Sequence, residues 1–255
     1  MKTEKLRAIV SGGASGLGRA VVERIIGNDG QAVILDLNRE QGETAKHELG
    51  KAVHFITTDV SDEPSVASAV AGAKEMMEGI DLVVNCAGVL GVSRVLGRDG
   101  PMDGSLFQKV ININLVGSFF LLRTAADLMQ HNEPNEEGER GVVINTASVA
   151  AFEGQIGQAA YSASKAGVVG MTLPIAREFA RIGIRVLTVA PGIFHTPMMG
   201  ELSDDAQASL AEQVPFPKRL GKPEEFADLV MYGISNSMLN GTTIRLDGAL
   251  RMQAK

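Results

Sequence analysis

The chain has 255 residues, 24 of them basic and 30 acidic, for a net charge of −6. That length fits one large α/β domain with a substantial core, and the acidic balance argues against a general nucleic-acid surface. A single cysteine excludes an intrachain disulfide and fits a reducing compartment.

Apolar runs alternate with helical patterns from end to end. Strands are expected at 7–11, 31–35, 53–57, 82–85, 142–146, 185–190 and 243–246. This alternation is the signature of an α/β fold, a single-domain doubly wound parallel sheet of Rossmann type with helices on both faces. No low-complexity linker or internal repeat interrupts it, so one domain is expected over 1–255. The opening Met1-Lys2-Thr3-Glu4-Lys5 leads straight into the first strand, with no apolar signal segment and no room for a long transit peptide. No run approaches an uninterrupted membrane span, and a cytoplasmic protein without a membrane partner is the expectation.

The first strand passes into Ser11-Gly12-Gly13-Ala14-Ser15-Gly16-Leu17-Gly18, and a helical pattern follows at 19–26. Glycines spaced G-x-x-x-G-x-G also occur in ordinary turns, but strand, turn and helix in this order form the context of a dinucleotide site. Glycines let the backbone turn tightly and admit a diphosphate, while free N–H groups at the helix start meet its charge. Asp36 ends the second run 18 residues after Gly18, where a carboxylate can accept from both ribose hydroxyls and repel a 2′-phosphate. Neither Ser15 nor Leu37 supplies a basic group there, and Arg39 is the nearby cation. NAD is the expected cofactor.

Further along, Asp59 closes the third run, where it could bond an adenine amino group. The small residues Asn85-Cys86-Ala87-Gly88 end the fourth. The stretch 106–129 carries apolar residues on more than one face, as a subunit interface or a monomer core would require. The buried strand Val142-Val143-Ile144-Asn145-Thr146 delivers Ser148 at its C-terminal end, 13 residues before Tyr161. Tyr161 and Lys165 lie one helical turn apart on one face. A cation there favours the phenolate, so Lys165 is expected to lower a tyrosine pKa that is ordinarily about 10. Pro191 and Gly192 end the sixth run. The mixture of Met, Gly, Pro and acidic residues at 198–217 suits a mobile lid or a plain surface helix and loop.

In order, Gly12-x-x-x-Gly16-x-Gly18, Asn85-Cys86-Ala87-Gly88, Asn114, Ser148, Tyr161-x-x-x-Lys165 and Pro191-Gly192 resemble the motifs of the short-chain dehydrogenases/reductases. The resemblance covers almost the whole chain. It implies a cofactor half over roughly 1–150, a catalytic and substrate half over roughly 140–255, and a tetrad of Asn114, Ser148, Tyr161 and Lys165. Tyr161 is then the acid/base and Ser148 orients the substrate oxygen. Lys165 holds the nicotinamide ribose and lowers the tyrosine pKa, and Asn114 anchors a water. The implied cofactor contacts are Gly12, Ser15, Gly16, Leu17, Gly18, Asp36, Asp59, Val60, Asn85, Ala87, Gly88, Tyr161, Lys165, Pro191, Gly192, Ile193 and Thr196, with no metal.

The stretch from Ile144 to Gln155 is similar to the type 2 3-hydroxyacyl-CoA dehydrogenase branch, also called 17β-hydroxysteroid dehydrogenase type 10. Support comes from Met171-Thr172-Leu173-Pro174, Val214-Pro215-Phe216-Pro217, Arg245-Leu246-Asp247-Gly248-Ala249 and the polar insert at 131–135. That branch implies NAD-dependent oxidation of 3-hydroxyacyl-CoA, tolerance for steroids and other alcohols, a homotetramer, and a substrate contact from Gln155. Cys86 departs from the wider family's asparagine and reads as a small buried side chain. His195 stands where the branch has glycine, as a surface residue, a pocket wall or a contact to a CoA phosphate. Lys218 and Arg219 are candidate cations for CoA, or a solvated turn. The alternatives are reduction of a 3-oxoacyl-carrier-protein, oxidation of a steroid or free alcohol with the same tetrad, and a cofactor-binding scaffold in a partner complex.

Overall fold

Strands buried on both faces need apolar side chains at consecutive positions rather than at alternate ones. Five of the seven runs meet that condition, whereas those at 53–57 and 243–246, interrupted by His54 and Arg245, are only half-buried. In the computed structural model, which describes every residue except Asp99, Glu201, Leu202 and Lys255, all seven form one parallel sheet. Its strands are β1 (Arg7–Ser11), β2 (Gln31–Asp36), β3 (Val53–Thr57), β4 (Leu82–Asn85), β7 (Gly141–Thr146), β8 (Ile184–Pro191) and β9 (Thr243–Leu246). Their order is β3-β2-β1-β4-β7-β8-β9. Two short strands, β5 (Leu96–Gly97) and β6 (Gly100–Pro101), form a separate antiparallel hairpin. The sequence hides it because so short a pairing, rich in Gly and Pro, shows no alternation.

Alternation of side chains assigns each strand to two cores. Ala8, Val10, Ala32, Ile34, Val84 and Ile144 pack with α1 (Gly16–Ile26) and α9 (Pro223–Ser235). Ile9, Val33, Leu35, Val83, Val143 and Val186 pack with α3 (Glu63–Met77), α5 (Gly117–Met129) and α6 (Ala159–Phe179). A helix α2 (Arg39–Leu49) joins β2 to β3, starting at Asn38, whose side chain accepts from the Gln41 N–H. Arg185 closes the far end of α9: its guanidinium donates to the carbonyls of Gly233, Ile234, Asn236 and Leu239 and pairs with Glu139. One cation thus satisfies acceptors that the end of a helix leaves without partners.

The apolar stretch at 106–129 lies in α4 (Gly104–Ile111), a π turn at Asn112–Val116, and α5. By length and composition alone Gly104–Met129 is long and apolar enough to cross a membrane, contrary to the expectation that no run approaches such a span. In the fold, Leu121, Leu122, Ala125, Ala126 and Met129 of its second half lie in the core. The segment at 198–217 contains α7 (Pro197–Gly200) and α8 (Asp204–Glu212), with Glu201 and Leu202 outside the described residues.

Candidate active site

The strand order reverses between β1 and β4, the place where open α/β sheets form a crevice beyond their C-terminal ends. A cavity of ≈ 560 Å³ occupies that position, lined by residues that follow β1, β2, β3, β4, β7 and β8. Its volume lies in the range of small-molecule and cofactor sites.

One end is the glycine turn. Gly12 has φ +64°, and a Cβ there would stand 2.7 Å from the Ala87 nitrogen. A Cβ on Gly18 would stand 2.3 Å from the Gly12 carbonyl oxygen. Both positions therefore require glycine for close packing of backbone on backbone. Ser15 caps α1 without a side-chain hydrogen bond. The first N–H groups of the helix, at Gly16, Leu17 and Gly18, thus remain available in the cavity lining. Asp36 follows, its carboxylate accepting from Asn38 N–H at 3.0 Å and from Ala14 N–H at 3.4 Å. Leu37, 67% exposed, and Gln41 continue the wall. A cradle closed to side chains, with unpartnered donors at a helix start and a carboxylate beside it, fits a dinucleotide.

The other end carries Ser148, Gln155, Tyr161 and Lys165. Ser148 has extended backbone and starts a 3-10 turn, its Oγ accepting from Ala150 N–H at 3.1 Å. Tyr161 and Lys165 rise from the first turns of α6, with Nζ 5.8 Å from the ring centroid. Lys165 is 5% exposed, and its ammonium donates to the Thr146 carbonyl at 2.8 Å. Burial pushes the Tyr161 pKa up, and a hydrogen bond with Ser148 opposes this. Burial also pushes Lys165 down to about 8. The expected lowering of the phenol pKa by Lys165 is thus not what the structure gives. Desolvation governs both groups, and the ammonium is directed at the Thr146 carbonyl.

Of the residues singled out in the sequence, Gly12, Ser15, Gly16, Leu17, Gly18, Asp36, Asp59, Val60, Ala87, Gly88, Ser148, Gln155, Tyr161, Lys165, Pro191, Gly192, Ile193 and Thr196 line this cavity. Asn85 and Asn114 do not. Asn85 points into the protein and donates to Asn145 at 2.8 Å and to the Ser118 carbonyl at 3.3 Å. Asn114, fully buried in the π turn, accepts from Val89 N–H at 2.8 Å. It also donates to the Val89 carbonyl at 2.9 Å and to Ser164 at 3.0 Å. Ser164 in turn donates to the Tyr161 carbonyl at 2.7 Å. These bonds tie the loop after β4 to the start of α6, which gives Asn114 a positioning role. A π turn interrupting a helix at such a point is a frequent device at functional sites.

Asp59 lies two residues beyond β3 rather than at its end, and its Oδ1 accepts from the Ser61 N–H and hydroxyl. Cys86 lies 3.4 Å from the Thr146 hydroxyl, and burial pushes its thiol up to about 11, which keeps it protonated. His195 is exposed and opens on a separate crevice with Arg19, Glu23 and Glu224. Arg219 is held in a two-point pair by Glu225, whose carboxyl it draws down to about 2; among the described residues Lys218 has no such pair.

The sequence did not single out Gln41, Ile113, Leu210 or Met252, all of which line the cavity. Nearness to Asp36 offered a clue for the first. Met252 comes from the chain's last residues and carries no local signal.

Residues 7–207 match the family model of short chain dehydrogenases. The 3-hydroxyacyl-CoA dehydrogenase type-2 of Bos taurus is 54% identical over 250 residues, covering 97% of this chain and 96% of that protein. The Drosophila melanogaster protein of the same name is 51% identical over 247 residues, covering 96% and 97%. The crystal structure of 3-hydroxyacyl-CoA dehydrogenase type-2 from Mycobacterium avium superposes with a TM-score of 0.94 at 43% identity, over 100% of both chains. With a glycine cradle, a seven-stranded parallel sheet and a Ser148–Tyr161–Lys165 cluster at the mouth of its crevice, the chain belongs to the short chain dehydrogenase family.

Proposed function

We propose that this protein is an NAD-dependent dehydrogenase that interconverts 3-hydroxyacyl-CoA and 3-oxoacyl-CoA. The observation that carries the reading is one continuous cavity joining the glycine turn and Asp36 to Ser148, Tyr161 and Lys165. Two relatives more than half identical in sequence and named for this reaction support the substrate class. Asp36 and the apolar Leu37 beside it support NAD over NADP, since the wall where a 2′-phosphate would sit offers a carboxylate and a leucine.

Gly12, Gly16, Gly18 and the N–H groups of α1 would hold the diphosphate, Asp36 the adenosine ribose, and Lys165 the second ribose. Bound NAD supplies the hydride acceptor. The protein's own contribution is proton transfer and placement. Ser148 and Tyr161, both on the cavity wall, would hold the substrate oxygen, and Tyr161 would move its proton. A phenol kept protonated by burial is suited to donate to a ketone, and the reverse oxidation gains from alkaline pH. Gln155 would meet the thioester side of the substrate, and Asn114 keeps Tyr161 in place through Ser164.

A homotetramer is part of the same proposal. Phe107 on α4, Phe119 on α5 and Leu173 on α6 are large apolar side chains left exposed on neighbouring elements, which suits burial against other copies.

Initial rates with NAD against 3-hydroxyacyl-CoAs, free secondary alcohols and carrier-protein thioesters test the reading. A short 3-hydroxyacyl-CoA should give the highest kcat/KM. A tenfold preference for a free alcohol or a carrier-protein substrate would replace it with the corresponding alternative, and light scattering on the same sample should give four times the chain mass.

A further inference from the structure

The walls of the substrate end include one residue from the extreme C-terminus, Met252, whose surroundings show how it comes to be there. The segment after β9 is irregular, yet it is tied to the loop that carries Ser148 and Gln155 at two points. The Ile156 N–H donates to the Ala254 carbonyl at 3.0 Å. On the other side of Met252, Arg245 binds both oxygens of Glu153 at 2.7 and 2.8 Å. The same guanidinium holds Asp247 at 2.7 Å and the Leu250 carbonyl at 3.1 Å, and lies 5.2 Å from the centre of the Phe152 ring. Arg251 adds a 3.2 Å pair to Asp247. Leu250 is fully buried and anchors the segment from beneath.

We propose that residues 247–254 form a fixed wall of the substrate end, with Met252 setting the size of acyl group accepted and Glu153 acting as the positioning residue. Two carboxylates and two arginines lock the segment to the catalytic loop, so the same loop that orients Ser148 also sets where Met252 stands. A bidentate arginine–carboxylate pair fixes direction as well as distance, which a single hydrogen bond does not. Met is flexible and apolar, suited to an unbranched chain lying beside it. The inference rests on the dehydrogenase reading of the site but not on CoA as the carrier.

The test compares kcat/KM for eight-carbon and four-carbon 3-hydroxyacyl-CoAs in wild type and Met252→Ala. If the thioesters are not turned over, eight-carbon and four-carbon free secondary alcohols take their place. The ratio should move at least about tenfold toward the longer substrate, as expected when a thioether side chain is cut back to a methyl in the pocket wall, while KM for NAD stays within twofold. Glu153→Ala should shift the ratio the same way and strip hydrogen-exchange protection from the Ile156 amide. Glu153→Gln, which can still bond Arg245, should restore part of both. Activity with an unmoved ratio overturns the wall, and unchanged Ile156 protection in Glu153→Ala overturns the strap. A chain inactive on both series sinks the dehydrogenase reading and the wall with it.

Discussion

The two ends of the cavity are made by different means. At the glycine end, backbone meets backbone: Gly12 lies against Ala87, Gly18 lies against Gly12, and Asp36 holds Ala14. The strands behind it, around Ile9, Val10 and Ile34, have no exposed surface. At the substrate end, side chains from six distant segments converge: Val89, Ile113, Gln155, Met199, Leu210 and Met252. Ion pairs and short helices hold them. The first construction has no slack, because a backbone contact cannot shorten. The second can be retuned one side chain at a time, which suits a site where related proteins must share a cofactor and differ in substrate.

The largest effect is expected where the two ends meet the chemistry. Tyr161→Phe removes the oxygen proposed to carry the proton and should lower turnover at least about a hundredfold, the usual scale of general acid/base catalysis. Dissociation of NAD, measured by titration calorimetry, should hardly change, because the glycine end is untouched. Turnover near that of wild type would remove Tyr161 from the mechanism.

The converse break is Gly18→Ala. Its Cβ would stand 2.3 Å from a carbonyl oxygen, so the turn must move and the N–H groups of α1 move with it. Affinity for NAD should fall about tenfold or more, with kcat at saturating NAD reduced less. If the variant binds NAD as wild type does, the turn is not the rigid cradle described here. A companion substitution at Leu210, by contrast, should leave NAD affinity alone.

The same contrast explains what the sequence disclosed. The glycine end was legible because its parts are consecutive: strand, turn, helix, then an acidic residue closing the next strand. All seven sheet strands were also legible, with ends shifted by one residue at most: burial on both faces writes near-continuous Val and Ile runs in the central ones, and the half-buried outer strands at 53–57 and 243–246 keep enough β-branched and aromatic residues to show. The tetrad was visible by resemblance, but only its position. That Asn114 faces the protein interior, and that burial raises the Tyr161 pKa, depend on how α5 and α6 pack around the loop after β4. The hairpin at β5 and β6, the π turn and Met252 carry no periodic signal. Arg219 looked available in sequence and is taken by Glu225 six residues on.

A subtler change sharpens the glycine end without breaking it. Asp36 stands beside Leu37, so its charge is the main obstacle to a 2′-phosphate on that wall. Wild type should favour NAD over NADP, and Asp36→Ala should lose most of the preference. Each tenfold in the ratio of kcat/KM values corresponds to about 1.4 kcal/mol of differential transition-state binding. An enzyme that prefers NADP before mutation would mean that Arg39 outweighs Asp36.

The smallest effect concerns Lys165, at the junction of the two ends. Burial holds its pKa at about 8, against 10.5 for a free lysine. The folded chain therefore binds this proton less tightly than the unfolded chain does. Below about pH 8 both states carry the charge, and the folded state bears the full cost of burying it. Between about pH 8 and 10.5 the unfolded state holds more proton, so stability rises with pH across that window. Lys165→Met removes the titrating group while keeping a side chain of similar length. The variant should have its greatest advantage in thermal midpoint near pH 7, less the contribution of the lost bond to the Thr146 carbonyl. Wild type should then gain on it by at most about 1.4 kcal/mol for each pH unit above 8. That is a few degrees in Tm for a domain of this size. Midpoints recorded at pH 7, 8, 9 and 9.5 should show the difference between the two proteins shifting steadily in favour of wild type. A difference that stays constant over the series would mean that Lys165 keeps its ordinary pKa, and that the Thr146 carbonyl compensates fully for burial.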